Sequence, residues 1–74
     1  MDQQRAIRYL TKHYSRFSEK NLKDIFENII ERLIDSGKYD REFLDHVVEG
    51  LAEDDWPKYK ICAYIDALDL EDRT

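Results

Sequence analysis

SEKNLKDIFENIIERLIDSG, residues 18–37, is the longest stretch of the chain that keeps a single period. Its apolar residues fall at Leu22, Ile25, Phe26, Ile29, Ile30, Leu33 and Ile34, an i, i+3, i+4, i+7 series that lines one face of an amphipathic helix. Ser18 stands where an N-cap oxygen is needed. Phe17 and Leu22 occupy the N′ and N4 positions of a hydrophobic staple, and Gly37 follows the last periodic residue as a left-handed C-cap. The spacing predicts a helix over 19–36.

Working outward, the same start signal recurs at once. Asp40 is placed as an N-cap, Glu42 in the first turn, and Tyr39 with Leu44 at the staple positions. Phe43, Leu44, Val47, Val48 and Leu51 then form an apolar stripe, predicting a second helix over 41–53. Gly50 interrupts it at a cost of about 1 kcal/mol relative to Ala, so it is expected to mark a close contact or a weakening near the helix end.

The next segment, LAEDDWPKYKI at 51–61, sets three consecutive acids against the only tryptophan and the only proline. Pro57 lacks a backbone N–H and has φ preset for a first helical turn. Asp54 or Asp55 is expected to supply the capping oxygen, and Trp56 to pack down as the joint. Ile61, Ile65 and Leu68, with Tyr64 beside them, carry a helix over 57–70, after which EDRT is expected to fray. Upstream, Asp2 as a cap and Ala6, Ile7, Leu10 and Tyr14 on one side predict a helix over 3–13 that leaves through HYSRFS. With no strand pattern, repeat or low-complexity tract, residues 1–74 are expected to form one all-α domain, a compact bundle of four short helices joined by short connections.

Composition narrows the function classes. In 74 residues, 42% are hydrophobic, with three Phe, five Tyr and one Trp, enough for a modest core without metal or disulfide staples. The single cysteine, Cys62, cannot form an internal bridge, no signal-peptide pattern opens the chain, and no apolar run approaches the roughly 20 residues that cross a bilayer. A cytoplasmic protein is the expectation. The net charge of −5 divides unevenly: residues 1–23 carry +4 from Arg5, Arg8, Lys12, Arg16, Lys20 and Lys23 against Asp2 and Glu19, and the remainder carries −9.

Catalytic raw material is sparse. Cys62, between Ile61 and Ala63, reads as a small buried hydrophobe. Glu42, Asp45, His46 and Glu49 can project from one helix face, and the Glu42/His46 pair makes weak metal binding one alternative. The Glu-x-x-His pairs of di-metal bundles are nonetheless absent from the sequence. His13, near a helix end, suits the negative end of a helix dipole. Glu53, Asp54 and Asp55 lack the alternating spacing and central glycine of a calcium loop, and two glycines thirteen residues apart cannot build a phosphate loop. No catalytic residue, metal or cofactor is expected.

The surface acids are the more informative feature. Asp24, Glu27, Glu31 and Asp35 follow helical spacing opposite the apolar face of the first-described helix, and Glu42, Asp45, Glu49 and Glu53 do the same on the next. Two acidic stripes, with Trp56 and Tyr59 as aromatic anchors, predict a regulator, adaptor or inhibitor that binds a basic surface of another protein. Because successive acids lie about 5–6 Å apart, near the separation of phosphates along a strand, a nucleic-acid mimic that occupies the groove of a DNA- or RNA-binding protein is the first alternative. A self-associating structural module or homodimer is the second. Direct nucleic-acid binding through Arg5, Arg8, Lys12 and Arg16 with Tyr9 and Tyr14 is disfavoured by the acidity of the rest of the chain. Ile61, Ile65, Leu68 and Leu70 are better explained by core packing than as a segment docking in a partner's groove.

Overall fold

The computed structural model describes residues 3–71, which form four helices: α1 (Gln3–Tyr14), α2 (Glu19–Asp35), α3 (Arg41–Glu53) and α4 (Lys58–Glu71). No strand occurs among the described residues. The chain is an all-α bundle with a radius of gyration of 11.6 Å, close to the roughly 11 Å expected of a compact chain of this length. Met1, Asp2 and residues 72–74 lie outside the described residues, and with them the expected Asp2 cap and most of the expected fraying at EDRT.

The caps of α2 and α3 follow from local chemistry. Ser18 is extended (φ −69°, ψ 161°) and its Oγ accepts from the Asn21 N–H at 3.2 Å. Asp40 (φ −102°, ψ 164°) does the same, Oδ1 accepting from the Phe43 N–H at 2.7 Å. Each oxygen satisfies one of the four N–H groups that a helix start leaves without a partner. Gly37, at φ 80°, turns the chain out of α2 in the left-handed region, its N–H donating to Ile34 O at 3.0 Å. The expected staple at Phe17 differs: this residue is 36% exposed, and its ring lies 5.5 Å from that of His13 and 6.1 Å from that of Tyr14, against the end of α1.

The acids at 53–55 belong to the end of α3, not to the start of α4 as a capping assignment of Asp54 or Asp55 requires. Asp54 is the C-cap, Asp55 takes φ 63°, the Asp55 N–H donates to Ala52 O at 3.0 Å, and the Trp56 N–H reaches back to Leu51 O at 3.1 Å. Those two bonds are the 5→2 and 6→1 pair of a Schellman motif, with an aspartate where glycine is usual. Pro57 directly precedes α4, and its carbonyl accepts from Lys60 and Ile61 at 3.0 Å each. A missing N–H costs nothing there. Trp56 is half-buried as the joint between the helices, its ring 5.8 Å edge-on from Tyr64 and under Lys60 Nζ at 4.3 Å.

Helix α4 is the hub. Ile61, Cys62, Ala63, Ile65 and Ala67 are all buried, positions that go round the helix rather than down one stripe, as expected where neighbours cover several sides. Its most extensive neighbour is α1, which contributes Ala6, Leu10 and Tyr14, and the next is α2, which contributes Leu22, Ile29, Ile30 and Leu33. Helix α3 touches both α2 and α4 sparingly, and Leu44 is its single fully buried side chain. Of the stripe expected on α3, Val47, Val48 and Leu51 are half-buried, whereas Phe43 is 48% exposed and does not belong to the core. Gly50 marks no close contact: a Cβ built there meets nothing within 4 Å.

Candidate functional site

All eight stripe acids are exposed: Asp24, Glu27, Glu31 and Asp35 on α2, and Glu42, Asp45, Glu49 and Glu53 on α3. Among the described residues none of the eight is joined to a cation by an ion pair. Lys20, Lys23, Arg32 and Arg41 are close enough in sequence to be expected to balance these acids in part, but Arg32 turns away from them, its Nη2 meeting Asp66 Oδ1 of α4 at 3.2 Å. Among the described residues the stripes therefore keep their negative charge uncompensated by direct pairing, and like charges one turn apart repel one another.

The remaining expected site residues divide. Trp56 is half-buried and held by Tyr64 and Lys60, so only part of its ring remains for an outside contact. Tyr59, also half-buried, is not grouped with the acids. It lines a groove of about 500 Å³ between α1 and α4, together with Ile7, Arg8, Thr11, Lys12 and Lys60. Arg5, Arg8 and Lys12 are exposed on α1 beside the 68% exposed Tyr9, and Arg16 is exposed just past the end of that helix. His13 sits with Lys12 in the last turn of α1, where positive charge opposes the negative end of the helix dipole. His46 shares a shallow cleft with Asp40, Glu42 and Phe43, but no cluster of three or more His, Cys, Asp or Glu side chains able to hold a metal occurs among the described residues.

Of two polar features deeper in the fold, the first escapes sequence reasoning and the second, Cys62, is buried as its apolar neighbours suggest. The Tyr14 hydroxyl donates to Asp66 Oδ2 at 2.5 Å, so the Asp66 carboxylate joins α1, α4 and, through Arg32, α2. Desolvation and then the carboxylate hydrogen bond hold the Tyr14 phenol protonated well above the usual tyrosine range. No sequence signal announces a pair 52 residues apart. Cys62 is fully buried and free, its Sγ 3.8 Å from Leu22 O, and burial pushes its thiol up to about 11. A thiol so placed is neither accessible nor ionised near neutrality, and its part in the fold is packing.

Comparisons of the chain with protein-family models, with curated proteins and with solved structures return no match. No helix of the described residues is long and apolar enough to cross a membrane.

Proposed function

We propose that this protein is a small non-catalytic regulator, adaptor or inhibitor that acts in the cytoplasm by laying its acidic α2–α3 surface against a basic surface of another protein. The observation that carries the reading is that eight acids on two adjacent helices are all exposed and unpaired among the described residues. Ordinary solvated helix faces mix both signs at i, i+4, which stabilises the helix by a few tenths of a kcal/mol per pair. Lys20, Lys23 and Arg41 stand four residues before Asp24, Glu27 and Asp45, yet none of these pairs closes to an ion pair among the described residues, which leaves the acids open to long-range attraction of a cationic partner. The residues that carry it are Asp24, Glu27, Glu31, Asp35, Glu42, Asp45, Glu49 and Glu53, with the open part of the Trp56 ring as an aromatic neighbour at the end of α3. Tyr59, placed in the α1–α4 groove, is assigned there instead.

The test is capture of partners from a lysate of the source cells on the tagged full chain, beside the double variant Glu31→Lys/Glu49→Lys. A stoichiometric partner retained by the native chain, released by moderate salt and lost from the variant is the expected result. Equal retention by both proteins removes the stripes from the account. A captured partner that itself binds nucleic acid, and is competed off by it, selects the phosphate-mimic version.

A further inference from the structure

We propose that the α1–α4 groove is a socket for Phe43 of a second copy of this chain, so that molecules join head to tail. The groove has an apolar interior, with Ile7, Thr11 and Tyr59 half-buried along it, and a cationic border of Arg8, Lys12 and Lys60. An occupant that suits it presents an apolar side chain flanked by carboxylates. The structure holds such a group elsewhere on its own surface. Phe43 leaves 48% of its area in water, stands in a cleft with Asp40 and Glu42, and is stacked on Tyr39 at 5.8 Å and 20°. Lys38 lines the adjoining cleft, yet the chain after Lys23 is strongly acidic while the segment that forms α1 is basic.

Tyr9 is the more exposed aromatic at 68%, but it lies among the α1 cations, whose charge matches that of the groove border and repels it. Phe43 is the exposed ring whose surroundings carry the complementary sign. A knob on α3 that fits a socket between α1 and α4 is a heterologous contact, which propagates into chains or rings instead of closing as a two-fold dimer. The contact uses Glu42 in common with the partner-binding surface, but requires no partner.

Sedimentation equilibrium of the full chain tests this. At about 10 mM ionic strength, where charges act over about 30 Å, the mean mass rises with concentration, and at about 1 M, where they act over about 3 Å, it returns toward the monomer. Phe43→Ala and Arg8→Glu/Lys12→Glu each weaken association about tenfold or more. All three substituted side chains are exposed or nearly half-exposed, so unchanged circular dichroism is expected and separates loss of contact from loss of fold. The decisive arm mixes the two variants: one keeps the socket and the other the knob, so they form a one-to-one dimer that grows no further. Adding Glu42→Lys to the Arg8→Glu/Lys12→Glu chain restores self-association. A native chain that stays monomeric up to about 1 mM at low salt, association that neither variant weakens, or variants that fail to pair when mixed overturns the proposal. So does a monomer whose groove takes only an unrelated acidic peptide. Because partner capture is read with Glu31 and Glu49, and self-association with Phe43, Arg8 and Lys12, either reading can fail while the other stands.

Discussion

Replacing Tyr14 with Phe removes one oxygen and leaves the ring that fills the α1–α4 interface. The lost group is a hydrogen bond of 2.5 Å to a carboxylate, and both partners are sheltered: Tyr14 is 8% exposed and the Asp66 side chain 13%. Hydrogen bonds to charged groups contribute about 1.5–3 kcal/mol, more than neutral ones, and Asp66 keeps Arg32 as a second donor. A loss of about 2 kcal/mol is expected. For a chain of this size, with a total stability of about 4–11 kcal/mol, that is about a fifth to a half of the whole. It corresponds to a fall in Tm of roughly 8–16 °C at about 4–8 °C per kcal/mol.

The assay is urea unfolding of native, Tyr14→Phe, Asp66→Asn and the double variant, which closes a double-mutant cycle with a coupling of about 1–2 kcal/mol. A second readout comes from alkali. Because the folded phenol ionises above its ordinary value of 10.0, the native state holds its proton more tightly than the unfolded chain. The contribution of Tyr14 is thus whole below pH 10 and declines as pH rises above it. Tyr14→Phe lacks that part of the decline. Additive substitutions, a loss under about 0.5 kcal/mol, or the same alkaline decline with and without the hydroxyl would refute the assignment of Asp66 as the tie between helices.

Four further outcomes follow from particular positions. Asp55→Gly is expected to stabilise by about 0.5–1.5 kcal/mol in thermal unfolding, because glycine relieves the φ of 63° and removes a negative charge from the negative end of α3. Gly50→Ala adds about 0.5–1 kcal/mol, since its Cβ enters open space. Leu44→Ala is expected to cost about 2–5 kcal/mol in urea unfolding, whereas Phe43→Ala costs well under half of that, because Leu44 is 0% exposed and Phe43 48%. Cys62 in the folded chain is expected to resist a thiol reagent at neutral pH until urea unfolds it. Its neutral-thiol contribution to stability is whole below its ordinary value of 9.0 and declines as pH rises toward about 11. Rapid labelling of the native chain would contradict the burial.

How far the sequence speaks depends on whether a signal is local. The α2 helix is legible because its stripe, Ser18 cap and Gly37 exit are all set within a few residues of one another, and the structure keeps each of them. Helix α4 is legible as a helix but not as the hub. Ala63, Ala67 and Cys62 are small and only mildly apolar, so periodicity shows the Ile61–Ile65–Leu68 stripe and passes over the sides that α1 and α2 cover. Phe43 illustrates the converse error: it continues the apolar spacing of α3, but a helix with few neighbours has no room to bury so wide a stripe. The acids at 53–55 stand between two helices, and only the backbone bonds from Asp55 and Trp56 show which helix they finish. The stripe acids were legible as exposed positions because they oppose the apolar face. Arg32 is misassigned by local spacing, which sets it beside the stripe acids, since its partner Asp66 lies 34 residues away.

Recognition through the eight acids of α2 and α3, none of them ion-paired among the described residues, is read from the salt dependence of binding to the captured partner. Affinity is measured by titration calorimetry across a salt series for the native chain and for Glu31→Lys/Glu49→Lys. An affinity that falls steeply with salt is expected for the native chain, with both the affinity and the slope reduced in the variant. Equal slopes and equal affinities for the two chains would place recognition elsewhere on the molecule.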